Sequence, residues 1–227
     1  TFGLVVDEQG SPVNQPFRLN YVEDGWSNSG SMADILPDGT IVTVWSEQVG
    51  GSSWDDIFHQ RFSVDGQPLS SPQNLSNSSS QLDFFPGVKT LEGGGYAVVW
   101  EADGVRASVF DSAGNAIASK LHVSSINATD LGVAALADGG FVATWSNYWD
   151  NERHTVYAQK VDAAGNLVGT HRIVAESDNA LRHKKAVTGL PDGGYAIAWF
   201  EVTEGSYQGQ GYIQRFDPAG EPVGDAV

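Results

Sequence analysis

A ten-residue string occurs four times and dominates the sequence. Each copy has an apolar run, a turn that contains glycine, and a second apolar run that ends in tryptophan. The copies are "LPDGTIVTVW" (36–45), "LEGGGYAVVW" (91–100), "LADGGFVATW" (136–145) and "LPDGGYAIAW" (190–199). Alternating apolar and polar residues around such a turn are typical of an antiparallel β-hairpin. This string, called the inner string below, therefore predicts four copies of one hairpin.

A second string, called the outer string, lies between the copies of the first and also alternates around a glycine, as in "VYAQKVDAAGNLVGT". Its copies cover 2–14, 58–70, 105–119, 156–170 and 211–225. One inner and one outer string together supply four short strands in about 50 residues, which is the size of a β-propeller blade. A radial array of such blades also protects the strand edges that a flat sheet of this many strands would expose.

We therefore predict an all-β protein with almost no helix, folded as a single β-propeller domain over 1–227 with four-stranded antiparallel blades. Within each blade we expect the strand before the inner turn to lie innermost and the tryptophan strand to be second. The expected divisions are a partial blade at 1–29 and repeats at 30–83, 84–128, 129–183 and 184–227.

The partial blade has an outer string and no inner string, which leaves the number of blades open at four or five. Its hairpin lies on a four-bladed ring, or it belongs to a fifth blade whose inner strands are missing or come from another chain. Of these arrangements we favour the five-fold one. Because the chain starts inside a repeat, we also expect it to be a processed or excised piece.

Charge and composition exclude several classes of function. The formal net charge of −16 argues against nucleic acid or an anionic membrane surface as a partner, because such partners require clusters of Lys and Arg. The chain has no cysteine, which excludes disulfides, thiolate metal sites and cysteine nucleophiles. No apolar run is long enough for a transmembrane helix.

The recurring tryptophans are predicted to be structural. They occupy equivalent strand positions, and a side chain of that size fills an interface between packed blades. These residues are Trp45, Trp100, Trp145 and Trp199. We likewise predict that Arg61 and Arg215 pair with a carboxylate of a neighbouring blade.

A binding site is predicted where the repeat is broken. Three of the four repeats carry a long loop after the tryptophan, such as "SEQVGGSSWDD" and "SNYWDNERH", and "YVEDGWSNSG" precedes the first inner string. These segments place aromatic rings among carboxylates and amides, an arrangement that suits a sugar ring. The candidate ligand-binding residues are Trp26, Trp54, Asp55, Asp56, Tyr148, Trp149, Asp150, Asn151 and Tyr207. The alternative is that the aromatics fold back as lids over their own blades.

No catalytic residues are assigned, and the chain is predicted not to be an enzyme. The five histidines lack the HxH and HExxH spacings of zinc sites, and there is no GxSxG motif, phosphate loop or dinucleotide fingerprint. Paired carboxylates such as Asp55 with Asp56 arise by chance in a chain this acidic. No cofactor is expected, although Ca²⁺ at one of the Asp-rich loops is a separate hypothesis that the charge balance suggests.

The strings "LADGGFVATW" and "VYAQKVDAAGNLVG" resemble repeats of large secreted or surface proteins of bacteria, the hemolysin-type and adhesin-like proteins. The resemblance covers essentially the whole chain. It implies an extracellular or cell-surface location and a role in binding or adhesion. The glycine-aspartate nonapeptides that bind calcium in such proteins are absent, so the resemblance assigns calcium to no residue.

Together these observations predict a non-catalytic extracellular binding module, lectin-like, with a glycan or a cell-surface protein as its partner. The first alternative is a protein-interaction or spacer domain of a larger adhesin, with homo-oligomers forming through the partial blade. The second is a small polysaccharide-active hydrolase or lyase that uses loop carboxylates as acid and base.

Overall fold

The computed structural model describes residues 2–19, 28–48, 54–77, 82–147, 154–177, 186–202 and 209–227. Every regular element in these ranges is a β-strand, and they contain no helix. The same ranges accordingly offer no helical segment that could cross a membrane.

The strands form four four-stranded antiparallel sheets and one two-stranded sheet. In each four-stranded sheet the strands are ordered as in the sequence. Blade 1 consists of β3 (Asn28–Ile35), β4 (Ile41–Gln48), β5 (Asp55–Phe62) and β6 (Gln73–Asn74). Blade 2 consists of β7 (Phe84–Thr90), β8 (Tyr96–Ala102), β9 (Gly104–Phe110) and β10 (Ala116–Ser124).

The second half of the chain repeats the arrangement. Blade 3 consists of β11 (Thr129–Ala135), β12 (Phe141–Asn147), β13 (His154–Val161) and β14 (Leu167–Ser177). Blade 4 consists of β15 (Ala186–Gly189), β16 (Tyr195–Val202), β17 (Gly209–Phe216) and β18 (Pro222–Val223). The two-stranded sheet, called the N-terminal sheet, pairs β1 (Phe2–Gly3) with β2 (Phe17–Arg18).

The inner turn of each blade is closed by a glycine that the backbone geometry requires. In blade 3, Gly139 has a φ of 84°, and its N–H donates to the carbonyl of Leu136 at 3.0 Å. Asp138 Oδ1 accepts from the N–H of Gly140 at 3.0 Å. A residue with a Cβ rarely adopts this left-handed conformation, so the Asp-Gly pair fixes where the hairpin reverses.

Consecutive blades pack face to face through alternating side chains. Val42 and Val44 of blade 1 contact Val98 and Trp100 of blade 2 in one apolar cluster. The opposite face of blade 2 packs on blade 3 in a second cluster, and blade 3 packs on blade 4 in a third. Side chains along a strand alternate between the two faces of the sheet. In a blade that lies between two others, one alternate set of residues therefore packs on the preceding blade and the other set packs on the next blade.

The four repeated tryptophans, Trp45, Trp100, Trp145 and Trp199, are all buried, and the last three belong to these clusters. Three of them stack on an aromatic residue of the neighbouring third strand, with ring centroids 5.5–5.9 Å apart. The stacked partners are Phe58, Tyr157 and Tyr212. This stack holds the second and third strands of a blade together on the face that meets the preceding blade.

The N-terminal sheet packs on blade 1 as one blade packs on the next. Phe17 contacts Phe62 with ring centroids 5.8 Å apart. Thr43 Oγ1 donates to the carbonyl of Leu19 at 2.9 Å. The register of the N-terminal sheet matches that of β5 with β6, because Phe2 opposes Arg18 as Phe58 opposes Asn74. The sheet is therefore the outer strand pair of a blade.

The prediction that Arg61 and Arg215 each pair with a carboxylate of a neighbouring blade is wrong. Arg61 does reach blade 2, but it donates to the main-chain carbonyls of Ser112 and Ala113 in the outer turn. Arg215 pairs with Asp192, which belongs to its own blade. A turn presents several carbonyl oxygens close together, and a guanidinium with five donors can bind them without a carboxylate.

Candidate functional site

A pocket of about 450 Å³ lies where the innermost strands of blades 1, 2 and 3 begin. Each strand contributes three consecutive residues to its wall, 30–32 from β3, 85–87 from β7 and 129–131 from β11. Because β3 contacts β7 and β7 contacts β11, the three segments form one continuous surface. We call this the central pocket.

The central pocket owes its shape to a β-bulge that recurs in three blades. In β3, β7 and β11 the register with the next strand slips at this point. The residue added by the bulge is Gly30, Phe85 or Asp130, with φ of 67°, 47° and 56° respectively. This left-handed conformation is ordinary for Gly and costs Phe or Asp about 1 kcal/mol. Bulges redirect a side chain out of the strand alternation, and such strain is concentrated at functional sites.

The pocket wall combines apolar surface with a carboxylate. Phe85 is 56% exposed, and its ring centroid lies 5.9 Å from that of Phe84. Met32 is also largely exposed, and Asp130 is the acidic residue among the described residues that line the pocket. An exposed aromatic face can stack on the C–H groups of a sugar ring, while a carboxylate accepts hydrogen bonds from its hydroxyls. The pocket can therefore hold a polyhydroxylated ring.

The strands that lead into the loops singled out by the sequence end on the same side of the blades as the central pocket. In blade 1, Glu47 near the end of β4 lies opposite Asn28 at the start of β3. In blade 3, Ser146 near the end of β12 lies opposite Thr129 at the start of β11. The strands that lead into the long loops thus end beside the strands that begin at the pocket.

A carboxyl group beside the pocket-forming segment of β7 has a perturbed pKa. Glu101 lies opposite Phe84 in the pairing of β8 with β7. Burial raises the pKa of Glu101 to about 7. A carboxyl that titrates near neutral pH can both donate and accept a proton under physiological conditions.

A smaller pocket of about 250 Å³ lies between the outer part of blade 1 and blade 2. Its lining residues are Ser76, Asp83, Trp100, Ala102, Arg106 and Lys120. The N–H of Asp83 donates to the carbonyl of Asp55 at 3.0 Å, which connects this pocket to one of the predicted ligand-binding residues. Cationic and acidic side chains both line this pocket, so it favours neither an anionic nor a cationic ligand.

Three of the predicted ligand-binding residues lie in the described ranges. Trp54 is partly exposed, whereas Asp55 and Asp56 are buried, and burial raises the pKa of Asp55. Asp56 accepts from Asn74 Nδ2 at 2.7 Å and from Ser76 Oγ at 3.1 Å. These bonds join the third strand of blade 1 to the segment around its fourth. Ligand binding by Trp54, Asp55 and Asp56 stays a prediction.

The remaining predicted ligand-binding residues lie outside the described residues. They are Trp26, Tyr148, Trp149, Asp150, Asn151 and Tyr207. Within the described ranges, no group of three or more His, Asp or Glu is placed to hold a metal ion. The Ca²⁺ hypothesis for the Asp-rich loops accordingly stays a prediction.

The sequence interpretation missed the central pocket, although a signal for it exists. The segments "SNSGSMADI" (27–35), "LDFFPGVKT" (82–90) and "NATDLGVAA" (127–135) occupy equivalent places before the inner turns. Their fourth residues are Gly30, Phe85 and Asp130, which differ in size, aromaticity and charge. Comparison of the repeats at this position, rather than of the loops alone, would have indicated the pocket.

Comparison with known proteins supports the fold. No family model matches the sequence, and no curated protein matches it either. A protein of unknown function from Dyadobacter fermentans is structurally similar, with a TM-score of 0.57 at 13% identity, covering 90% of this chain and 70% of that one. An α-L-arabinofuranosidase from Podospora anserina, solved with cellotriose, has a TM-score of 0.50 at 15% identity. That similarity covers 87% of this chain, which spans 66% of the length of the arabinofuranosidase.

These similarities confirm the predicted all-β propeller of four-stranded antiparallel blades. The matching architecture is the five-bladed propeller. The described residues supply four complete blades and, in the N-terminal sheet, the outer strand pair of a fifth.

Proposed function

We propose that this chain is a non-catalytic carbohydrate-binding module that acts outside the cell, and that the central pocket is its sugar site. The observation that carries the proposal is the position of Phe85. Its ring is exposed at the point where three innermost strands meet, and a left-handed backbone conformation holds it there beside Asp130. A ring in this position would stack on a sugar while Asp130 accepts from hydroxyl groups.

Two further observations support a glycan partner. The propeller resembles an arabinofuranosidase that was solved with a bound oligosaccharide. The strands that lead into the aromatic and acidic loops of the repeats end beside the strands that begin at the pocket, so a long glycan held in the pocket would pass these strand ends. The extracellular location in this proposal follows the resemblance of the repeats to those of secreted and surface proteins.

Titration calorimetry with cello-oligosaccharides and arabino-oligosaccharides tests the proposal. We expect Phe85→Ala to weaken binding at least tenfold, since loss of a stacked aromatic ring removes about 1.4 kcal/mol or more. Phe2→Ala is the matched control, because Phe2 is exposed on the N-terminal sheet and does not line the pocket. It should bind as the unmodified chain does.

Two results would contradict the central pocket as the sugar site. One is the absence of binding to any oligosaccharide on a glycan array. The other is unchanged affinity in Phe85→Ala together with loss of binding in Trp54→Ala, which would move the site to the loops predicted from the sequence.

The second candidate function is that of a polysaccharide hydrolase, which the pKa of Glu101 favours. A group with a pKa of about 7 is suited to protonate a leaving glycosidic oxygen. Hydrolysis of this kind requires two facing carboxyl groups, and the described lining of the pocket has Asp130 alone. We therefore rank binding above catalysis.

Reducing-sugar release from arabinan and cellulose-type substrates separates the two functions. A catalytic Glu101 predicts measurable release that Glu101→Gln lowers at least a hundredfold without weakening ligand binding. A binding module predicts no release by either protein. Release that Glu101→Gln leaves intact would exclude Glu101 as the acid.

A further inference from the structure

Blade 4 exposes a face that the other blades bury. The third strands of the four blades carry equivalent residues, each opposite the residue before the repeated tryptophan: His59, Ala107, Ala158 and Ile213. The first three are buried, because the following blade covers them. Ile213 is 47% exposed, and Phe200 on the adjacent strand is 41% exposed. The side of blade 4 that points away from blade 3 is therefore an uncovered copy of an interblade face.

The N-terminal sheet exposes the opposite face. Val6 forms a bridge with Pro12 as Phe62 does with Pro68, so Val6 and Phe62 occupy equivalent positions. Phe62 is buried, as are its counterparts in the other blades, whereas Val6 is 50% exposed. Leu4 and Phe2 on the same side of the strand are 47% and 72% exposed. This is the face that, in every complete blade, packs on the blade before it.

Among the residues that the structure describes, no innermost strand precedes that of blade 1. In blade 2, Thr90 Oγ1 donates to the carbonyl of Ile35, which links the innermost strands of blades 1 and 2. Gly189 of blade 4 lies directly against the carbonyl of Ala135 in blade 3. Each innermost strand thus contacts the one before it, but Ile35 of blade 1 is 61% exposed.

Side-chain to main-chain hydrogen bonds link blade 1 to blade 2 and blade 3 to blade 4, whereas blade 2 has Val109 at the donor position. Arg61 and Lys160 occupy equivalent third-strand positions, and each donates to a carbonyl in the outer turn of the next blade. Arg215 has this position in blade 4, where it pairs with Asp192. The outer turn of the N-terminal sheet is open, since a Cβ built on Gly10 meets nothing within 4 Å, whereas one on Gly114 meets Arg61.

We propose that the space between blade 4 and the N-terminal sheet is a docking site for one additional inner-string β-hairpin. The hairpin would pair its second strand with β1, which in the described structure is joined to β2 alone. The third strands of the four complete blades are paired on both sides. Docking would complete a fifth blade and cover Ile35, Val6 and Ile213 together.

Phe2 specifies the chemistry of the hairpin. It is equivalent to Phe58, which stacks on Trp45, and to Tyr157, which stacks on Trp145. An occupant must therefore carry an aromatic residue at the tryptophan position, opposite Phe2, with apolar residues alternating before it. This is the pattern of the inner string itself.

An extended chain tests the proposal. Val227 exchanges both main-chain hydrogen bonds with Ile213, at 2.8 and 3.1 Å, as Leu121 is paired with Ala107 in blade 2. A copy of residues 122–147 joined after Val227 therefore continues in register through a connection and one inner string. The control extension carries Trp145→Ser in the copied segment only.

The readout is chemical labelling of a single introduced thiol, which is possible because the chain has no cysteine of its own. Leu4→Cys and Ile213→Cys each introduce one thiol on the two exposed faces, and maleimide labelling measures its accessibility. We expect the extension to slow labelling at both positions at least tenfold and the control extension to protect them less. Ile173→Cys, exposed on β14, should label at the same rate in every version.

Unchanged labelling of Leu4→Cys and Ile213→Cys in the extended chain would overturn the proposal. Labelling that slows with protein concentration in the unextended chain would also overturn it, because a second copy would then cover these faces. If the extended chain does not fold, the peptide 122–147 is added to the unextended Leu4→Cys protein. Protection by this peptide is the expected result, and its absence contradicts the proposal.

Discussion

Phe85 occupies a strained backbone conformation that lowers the stability of the fold but places its ring at the central pocket. Its φ of 47° places it in the left-handed region, where a side chain with a Cβ is strained. The equivalent residue of blade 1 is Gly30, which adopts the conformation without strain. An exposed Phe that gains little from burial has no structural reason to occupy this position. We therefore attribute its presence to the ring that it directs at the pocket.

The strain at Phe85 can be measured with two substitutions. Glycine normally destabilises a strand relative to alanine by about 0.5–1 kcal/mol, but a left-handed position reverses the order. We expect Phe85→Gly to be more stable than Phe85→Ala by about 1 kcal/mol in urea unfolding. Met32, exposed on β3 outside the left-handed region, provides the control pair, in which the alanine variant should be the more stable. An alanine variant at least as stable as glycine at position 85 would contradict the strain argument.

At the scale of elements, a buried polar chain joins blades 1 and 2. His59 Nδ1 lies 3.1 Å from the hydroxyl of Tyr96, and Nε2 lies 3.1 Å from Gln73 Oε1. The ring of Phe110 is 4.7 Å from that of His59. A neutral imidazole satisfies both partners, since Nε2–H donates to Gln73 and Nδ1 accepts from Tyr96. Burial lowers the pKa of His59, although the hydrogen bond with Gln73 opposes this.

This lowered pKa predicts a pH-dependent stability. Below the ordinary histidine pKa of 6.5 the unfolded chain takes up a proton at His59, while the folded chain does so only at lower pH. The free energy of unfolding should therefore fall as pH drops below about 6.5 and should level off once the folded state is protonated too. Urea unfolding between about pH 5 and pH 8 measures it.

The control is a histidine outside the interface. His59→Gln should reduce the decline of stability with falling pH, because glutamine has no proton to take up in this range. His122→Gln, at an exposed position of β10, should retain it. An equal decline in the His59→Gln variant and the unmodified chain would rule out His59 as its source.

The hairpins were predictable from the sequence because their information is local. The alternation in "LADGGFVATW" and its glycine turn lie within ten residues, and the structure has β11 and β12 on either side of that turn. The burial of Asp56 was not predictable in this way. Its partners Asn74 and Ser76 lie 18 and 20 residues further along and reach it only when β6 pairs with β5.

The central pocket was unpredictable for a related reason. Its bulges insert one residue into a strand and interrupt the two-residue period on which strand prediction rests. Its walls come from Gly30, Phe85 and Asp130, which only the packing of blade on blade brings together. Sequence reasoning instead pointed to the loops, whose lengths differ visibly between repeats.

At the scale of the whole molecule, the blades form a row in which each contacts its neighbours. The innermost strands contact in the order β3, β7, β11 and β15, and three apolar clusters join the four blades in pairs. Blades 2 and 3 are covered on both faces, whereas blade 4 is covered on one. In such an array the stability of a unit depends on its own strands and on the number of its interfaces.

Hydrogen exchange should report this difference directly. The amides of β16 and β17 in blade 4 are expected to exchange at least tenfold faster than those of β8 and β9 in blade 2, because a blade with one interface opens at a lower free energy than a blade with two. Mass spectrometry of peptides that contain Trp199 and Trp100 compares equivalent strands within one molecule. Equal protection of the two would mean that blade 4 is stabilised as an interior blade. In that case the exposure of Ile213 and Phe200 on its outer face would not lower the free energy of opening of blade 4 relative to blade 2.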